Sequence, residues 1–173
     1  MAIREARVDD RNAILELVRA AFSTEGRDGQ DEVDIVVGTW NRAASPAGMD
    51  LVAIEDDAVV GHVLASVGEA DGRPVLGIAP LAVAPAHQGA GVGSALMREL
   101  IARADAAGEP MLVLLGNPAY YGRFGFEPAS AHGLVYPPVG PDSPYFQVRR
   151  LTNDDPTIEG DYLYCWELPV TLP

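Results

Sequence analysis

A glycine-rich turn between an apolar strand and a strong helix constrains the fold more than any other segment. The strand ends in Leu81-Ala82-Val83, and the turn runs through Gln88-Gly89-Ala90-Gly91-Val92-Gly93. Apolar residues at intervals of four then predict a helix over residues 92–107. A helix N-terminus offers unpaired N–H groups and the positive end of the helix dipole, and glycines let a ligand approach the backbone. The segment therefore predicts a site suited to a pyrophosphate.

Two common phosphate-binding motifs do not fit this turn. A mononucleotide-binding loop needs a lysine after its last glycine, whereas all 12 basic residues of the chain are arginine. A dinucleotide-binding motif needs the spacing Gly-x-Gly-x-x-Gly after the first strand of a parallel unit. Here the glycines are Gly89, Gly91 and Gly93, and the strands before them are predicted as hairpins. The alternative that these glycines only make a tight turn stays open.

The whole chain, residues 1–173, is predicted to form one domain. Apolar periodicity and turn signals place its other elements. One helix is predicted to follow a cap at Asp9 or Asp10 and to end near Phe22, a second covers residues 31–44, and residues 117–124 predict a short turn or helix. The predicted strands cover residues 3–7, 51–55, 59–67, 75–83, 111–115, 145–151 and 162–167. Residues 129–144 predict a proline-rich loop. This order indicates a mixed α/β (α+β) fold. Since Pro80 has no N–H to donate, we expect a bulge or a splayed pairing in its strand.

Composition and charge exclude several classes of protein. A net charge of −13 opposes binding to a phosphate backbone, so no nucleic-acid partner is expected. The chain has no apolar run of about 18 residues and no apolar stretch at its charged N-terminus, so neither a membrane span nor a secretory signal is predicted. The single cysteine, Cys165, favours a reducing, cytoplasmic location. No metal site is predicted, because His132 has no partner at ligand spacing.

Four segments together resemble the GNAT superfamily of acetyl-CoA-dependent N-acetyltransferases. The residues from Gln88 to Gly93 fit its signature Gln/Arg-x-x-Gly-x-Gly/Ala, and Leu81-Ala82-Val83-Ala84-Pro85 resembles its fourth strand. Tyr121-Gly122-Arg123-Phe124-Gly125-Phe126 resembles its Tyr-x-Lys/Arg-x-Gly-Phe segment. The opening Ile3-Arg4-x-Ala6, with Asp9-Asp10 before a helix, also matches. The resemblance implies a splayed central sheet flanked by helices.

The resemblance also assigns roles to individual residues. It implies that backbone groups of Leu81, Ala82 and Val83 bind the acetyl and pantetheine arm. It implies that the pyrophosphate is bound by N–H groups of Gln88, Gly89, Ala90, Gly91, Val92 and Gly93. Tyr121 would lie near the thioester sulfur and protonate the leaving thiolate. Arg123 or Arg98 would meet the 3′-phosphate of acetyl-CoA.

The acceptor and the general base stay open. Many members of the family carry a glutamate on the fourth strand as the base, and Gly77-Ile78-Ala79-Pro80-Leu81 has none. The carboxylates expected on the substrate side are Glu25, Asp31, Glu32 and Glu69. A primary amine of a small molecule or a peptide is the expected acceptor, and acidity would favour a cationic one. The alternatives are a protein acetyltransferase and a catalytically silent acyl-CoA-binding module, and a homodimer is also left open.

Overall fold

A computed structural model describes residues 1–169 as two compact units. The first unit contains Met1–Ala65 and Ala79–Ile101, and the second contains Ser66–Ile78 and the described residues from Ala102 onwards. The elements that contribute to the first unit are β1 Ala2–Glu5, α1 Arg11–Phe22, β2 Ser23–Thr24, β3 Arg27–Asp28, α2 Gln30–Asn41, β4 Asp50–Glu55, β5 Ala58–Ala70, β6 Arg73–Val83 and α3 Val92–Ala106. Of these, β5, β6 and α3 continue into the second unit. The second unit adds β7 Met111–Leu115, α4 Pro118–Tyr121, β8 Glu127–Pro128, β9 Leu134–Val135, β10 Phe146–Arg150 and β11 Gly160–Leu163.

The first unit pairs three strands in antiparallel fashion and packs two helices together. Ile3 in β1 lies opposite Ala53 in β4, and Leu51 in β4 lies opposite Val63 in β5. The β4–β5 turn is tight because Asp56 and Asp57 both adopt positive φ, as the twist of a two-residue hairpin requires. The core of this unit consists of Ile14, Leu17, Val18, Val33, Val36, Val52, Leu64 and Ala82. The apolar face of α1, predicted from its periodicity, therefore packs on the sheet and on α2.

In the second unit, strand β7 pairs with β6 in parallel and with β10 in antiparallel direction. Gly77 in β6 lies opposite Val113 in β7 with parallel direction, and Val148 in β10 lies opposite Val113 with antiparallel direction. The paired residues of β6 and β7 end at Ile78, two residues before Pro80. The predicted splay beyond that point involves residues of both units and stays a prediction. Mixed α/β structure with mostly antiparallel pairing is confirmed as the fold class.

Several element boundaries differ from the sequence prediction for local reasons. Helix α2 ends at Asn41 because Ala43 turns to positive φ and the Ala44 N–H donates to the Thr39 carbonyl. Strand β11 ends at Leu163 because the Glu167 carboxylate accepts the Tyr164 N–H in a turn. The loop predicted after α1 holds the short β2–β3 hairpin, and the proline-rich loop holds β9. None of the helices described up to residue 169 has the length and apolarity needed to span a bilayer.

Candidate functional site

The glycine-rich turn of the first unit is folded back on the end of β6. A single 3₁₀ turn, Pro85–His87, follows β6, and the Gln88 side-chain amide donates to the Val83 carbonyl at 3.2 Å. Gly89 and Gly91 then adopt φ of +78° and +89°, a region that favours glycine. Because glycine adopts positive φ with little strain, the chain changes direction at both residues and α3 can begin at Val92 directly after the turn.

The turn and the first residues of α3 present backbone N–H groups, of which those of Gln88 and Ala90 already donate to the Pro85 and His87 carbonyls at 3.4 Å. Gln88, Gly89, Ala90 and Gly91 are exposed, whereas Val92 and Gly93 are buried. The Ala95 N–H donates to the Gly91 carbonyl at 3.0 Å, so the N–H groups before it have no acceptor within the helix. A Cβ placed on Gly89 or Gly91 would meet nothing within 4 Å. Open space in front of a 15-residue helix N-terminus fits an anionic pyrophosphate.

A glycine that the sequence analysis missed fixes the position of α3. A Cβ on Gly61 in β5 would lie 2.7 Å from Val92 Cγ1 and 2.8 Å from Leu96 Cδ1, closer than carbon atoms approach. The strand and the first turn of the helix are therefore in direct contact. The Ala84 N–H donates to the Val60 carbonyl at 3.0 Å and ties the start of the turn to the same strand.

The three residues expected to bind the pantetheine arm alternate in burial along the end of β6. Ala82 is 1% exposed in the core of the first unit, whereas Leu81 and Val83 are half-buried. The Gln88 side chain already occupies the Val83 carbonyl. Gln88 therefore has a structural contact besides the role predicted for its backbone. Arg98, one candidate for a 3′-phosphate, is exposed on α3.

Tyr121 lies on the short helix α4 of the second unit, which starts at an N-cap. The Asn117 carboxamide oxygen accepts the Ala119 N–H at 2.9 Å, and Pro118 occupies the first helical position. The Asn117 carbonyl also accepts the N–H groups of Tyr120 and Tyr121 at 2.9 and 3.1 Å. Asn117 is therefore used to build the turn that holds Tyr121.

The Tyr121 ring is enclosed by glycine and aromatic neighbours. Gly116 contacts the ring so closely that a Cβ at that position would overlap it. Tyr120 packs edge-to-face at 4.8 Å between ring centroids, and Phe126 does so at 6.1 Å. Burial raises the pKa of the Tyr121 phenol to about 12, and Tyr120 adds to the rise. At neutral pH this hydroxyl is protonated, which suits a proton donor rather than a base.

Arg123, the other candidate for a 3′-phosphate, stacks on an aromatic ring. Its guanidinium carbon lies 4.0 Å from the centroid of the Tyr120 ring and 5.1 Å from that of Phe124. Arg123 is exposed, so its charge is available to solvent while its position is held by Tyr120. Of the two adjacent tyrosines, Tyr120 therefore supports Arg123.

Two of the four candidate carboxylates line a cavity in the first unit. The cavity has a volume of about 520 Å³ and is lined by Thr24, Gly26, Arg27, Asp28, Gly29, Gln30, Asp31 and Glu32. Glu32 accepts a hydrogen bond from Arg27 at 2.8 Å through one oxygen, and its other oxygen is buried without a partner. Glu69 lies in the second unit, in β5 opposite Leu163. The structure thus brings Asp31 and Glu32 together, with Glu25 outside the lining residues.

Comparison with known proteins identifies the family. The family model described as an acetyltransferase (GNAT) domain matches residues 2–129, so the chain belongs to this family. The chain is 38% identical over 109 residues to the uncharacterized N-acetyltransferase YhbS of Escherichia coli. That match covers 61% of the chain and 65% of the relative, slightly less than two thirds of the relative's length.

Two solved structures share most of the fold. The crystal structure of the E. coli GNAT family N-acetyltransferase YhbS, in complex with CoA, is 31% identical with a TM-score of 0.81. The match covers 93% of this chain and 87% of that one. A GNAT family acetyltransferase from Brucella melitensis, in complex with acetyl-CoA, is 34% identical with a TM-score of 0.77 and 94% coverage of both chains. The resemblance drawn from the four sequence segments is confirmed.

Proposed function

We propose that the chain is an N-acetyltransferase that moves an acetyl group from acetyl-CoA directly to a primary amine of a small molecule or peptide. The observation that carries this proposal is the open, glycine-lined N-terminus of α3 in a member of the GNAT family. The similar E. coli and Brucella structures hold CoA and acetyl-CoA, which supports the same cosubstrate here. When bound, acetyl-CoA would supply an activated acetyl thioester.

The residues of the first unit would bind the phosphates. Backbone N–H groups from Gln88 to Gly93 would donate to the pyrophosphate, where the dipole of α3 favours negative charge. Since this part of the turn is exposed and free of side chains at Gly89 and Gly91, phosphate oxygens can approach the backbone. Backbone groups of residues 81–83 would align the acetyl arm, and Arg98 or Arg123 would neutralise the 3′-phosphate.

Tyr121 would act as the general acid. A neutral amine attacks the carbonyl carbon, and the C–S bond breaks as the C–N bond forms. The Tyr121 O–H, protonated at neutral pH, would give its proton to the sulfur as the C–S bond breaks, and the burial that raises its pKa to about 12 makes it a weaker acid than an ordinary tyrosine. Such a donor contributes about 10² to 10⁴ in rate.

The acceptor is proposed to bind as a cationic ammonium group and to lose a proton before the neutral amine attacks. The residues that line the cavity of the first unit include Asp28, Asp31 and Glu32. Arg27 is the single cation among the lining residues and lies 3.9 Å from Asp31 and 2.8 Å from Glu32, so the lining keeps a net negative charge. A carboxylate there, or water held by it, would take the proton from the ammonium group. Raised salt should then increase KM for the amine, since screening acts over about 10 Å at 0.1 M.

The single cysteine supports a cytoplasmic location. Whether the chain forms a homodimer is to be tested by light scattering.

The cofactor site is tested by calorimetry on two matched glycine variants. Gly91→Ala and Gly72→Ala both place a side chain at positive φ, +89° and +75°, with nothing else within 4 Å. Both should therefore cost a similar 1–2 kcal/mol or so of stability. Only Gly91→Ala adds a methyl group at the proposed phosphate site, so only this variant should bind acetyl-CoA more weakly than the parent. Equal affinity of the two variants for acetyl-CoA would show that the glycine-rich turn of residues 88–93 does not bind the phosphates.

Turnover is tested with a panel of amines. Tyr121→Phe should keep the affinity for acetyl-CoA and lower kcat by about 10² to 10⁴, equivalent to roughly 3 to 5 kcal/mol of barrier. Unchanged kcat, with the chemical step limiting, would remove Tyr121 as the acid. Binding of acetyl-CoA without release of CoA for any amine would instead support the silent acyl-CoA-binding module.

A further inference from the structure

Tyr121 lies on a short helical segment of the second unit that is hydrogen-bonded without a break. Helix α4 is followed directly by a 3₁₀ turn, Gly122–Phe124, so the segment runs over residues 118–124. The Gly122 N–H donates to the Pro118 carbonyl, and the Gly125 N–H donates to the Gly122 carbonyl at 3.0 Å. These bonds make residues 118–124, the Tyr121 segment, one body. The position of Tyr121 therefore depends on what holds the two ends of the segment.

An arginine of β10 holds the second end of the Tyr121 segment. The first end is capped by Asn117, whereas at the second end Nη1 of Arg149 donates to the Phe124 carbonyl. The last carbonyls of a helical stretch have no partner within it, and a cation beside them is favoured by the helix dipole. Arg149 lies opposite Leu112 of β7. The contact therefore ties the segment to the paired backbone of the sheet.

The glycine after the segment leaves room for the guanidinium group of Arg149. Gly125 adopts φ of +79°, and a Cβ there would lie 2.5 Å from Arg149 Nη1 and 3.5 Å from its Cζ. The guanidinium group therefore lies directly on the Gly125 backbone. A larger residue at this position would force the group away from the Phe124 carbonyl. Gly125 is thus needed for the direction of the chain and also for the approach of Arg149.

Apolar packing alone does not explain the arginine. Phe124 and Phe126 are 5% and 4% exposed and already anchor the end of the segment. Hydrophobic burial has no preferred direction, whereas a hydrogen bond from a cation is both strong and directional. Nε of Arg149 is buried without a partner in the described part of the chain, so the residue is not the best choice for stability alone. The directional contact with the Phe124 carbonyl is what an apolar side chain could not supply.

We propose that Arg149 is a positioning residue that holds the Phe124 carbonyl and thereby sets where the Tyr121 hydroxyl lies. The inference rests on the proposed role of Tyr121 as the acid. A proton donor acts only within hydrogen-bond reach, about 2.6–3.2 Å between heavy atoms, and a displacement of about 1 Å can lower a rate about a hundredfold. Arg149 acts through the Tyr121 segment and takes no part in the proton transfer itself.

The first test needs no acceptor and no turnover. A fluorinated tyrosine is placed at position 121 alone, and its fluorine NMR resonance is recorded in the full chain. Arg149→Met keeps the length of the side chain and removes its donors, so the resonance should shift and broaden as the segment loses its anchor. Arg150→Met is the matched control with the same change in charge. Arg150 is the next residue of β10 and donates to His132 at 3.0 Å and to Asp154 at 2.6 Å, so its loss should leave the resonance unchanged.

A pair of glycine variants tests the same contact while Arg149 is kept. Gly125→Ala and Gly72→Ala both place a side chain at positive φ, +79° and +75°. Both should therefore lower the melting temperature to a similar extent. Only the new Cβ of Gly125→Ala meets the guanidinium group, so only this variant should change the resonance at position 121. Should Arg149→Met fail to fold, this pair decides the question.

Kinetics separate positioning from a merely structural role. Arg149→Met should lower kcat by about ten- to a hundredfold with KM for the amine unchanged, and Arg149→Lys, which keeps one donor and the charge, should restore part of kcat. In a Tyr121→Phe background, Arg149→Met should have no further effect on kcat, because the residue through which it acts is gone. An unchanged resonance, or an equal loss of kcat in both backgrounds, would overturn the inference. Absence of turnover in the parent, with the resonance changed in Arg149→Met, would overturn the proposed function instead and still support Arg149 as the residue that positions Tyr121.

Discussion

Adding one methyl group at Gly61 should disturb the N-terminus of α3 without changing any residue of the glycine-rich turn. The Cβ of Gly61→Ala would lie 2.7 Å from Val92 Cγ1 and 2.8 Å from Leu96 Cδ1. Val92 is 4% exposed and Leu96 is fully buried, so neither side chain can swing into solvent. Relief therefore requires the first turn of α3 to move away from β5.

The magnitude follows from two opposing effects. Overpacking of a close-packed core costs about 1–3 kcal/mol. Replacing glycine by alanine also restricts the unfolded chain, which stabilises the protein by about 0.4–1 kcal/mol where the backbone conformation allows it. Gly61 has no positive φ, so this gain applies. The net expectation is a loss of about 1–2 kcal/mol in the free energy of unfolding.

Urea unfolding measures this difference, with Gly38→Ala as the control. Gly38 lies inside α2, and a Cβ there would meet nothing within 4 Å, so alanine should stabilise by about 0.5–1 kcal/mol. The midpoint should fall for Gly61→Ala and rise for Gly38→Ala, with the same dependence on urea. Calorimetry should show weaker binding of acetyl-CoA to Gly61→Ala alone. A Gly61→Ala protein as stable as the parent would refute the close contact between β5 and α3.

Two further predictions concern pH. Asp10→Asn should cost about 1 kcal/mol near neutral pH, because Asp10 pairs with Arg4 through hydrogen bonds of 2.6 and 2.8 Å. These bonds lower the pKa of Asp10 to about 2. The stabilisation from the pair is therefore present above the ordinary pKa of an aspartate and is lost as pH falls towards 2. The urea midpoints of the parent and of Asp10→Asn should converge at that pH. For Tyr121, burial raises the pKa from 10 to about 12. Its contribution is present below pH 10 and lost as pH rises towards 12, by about 1.4 kcal/mol per unit, so urea midpoints of the parent should fall more steeply with pH than those of Tyr121→Phe.

Elements with a strong local signal were predictable from the sequence. The helix predicted over residues 92–107 is observed as Val92–Ala106, and the strand predicted over residues 111–115 is observed with the same ends. Four apolar residues at intervals of four, Val92, Leu96, Leu100 and Ala104, precede Gly108, which adopts φ of +82° and stops the helix. A continuous apolar run such as Met111–Leu115 has few alternatives in a chain of this length.

Features that depend on a distant partner were not predictable. Arg149 lies 25 residues after Phe124, and nothing near it in the sequence indicates that it donates to the Phe124 carbonyl. Strand β11 was predicted to continue to residue 167, since its residues are apolar or aromatic. The Glu167 carboxylate instead accepts hydrogen bonds from the Tyr164 N–H at 2.8 Å and from the Tyr136 O–H at 3.1 Å. These contacts turn the chain after Leu163.

Glycine serves two different physical purposes in this chain. Gly89 and Gly91 have open space where a Cβ would be and a positive φ, so they are needed for the direction of the chain and for access to its backbone. At Gly61, Gly77 and Gly116 the φ is ordinary and a Cβ would overlap a neighbour, so they are needed for close approach. Gly61 makes room for the start of α3, Gly77 for the Tyr162 hydroxyl and the Tyr164 ring, and Gly116 for the Tyr121 ring. An alanine at either kind of position is destabilising, but only in the second group should a change in the partner side chain restore stability. Gly61→Ala combined with Leu96→Ala should therefore be less damaging than the sum of the two single changes, whereas Gly91→Ala and Leu96→Ala should add.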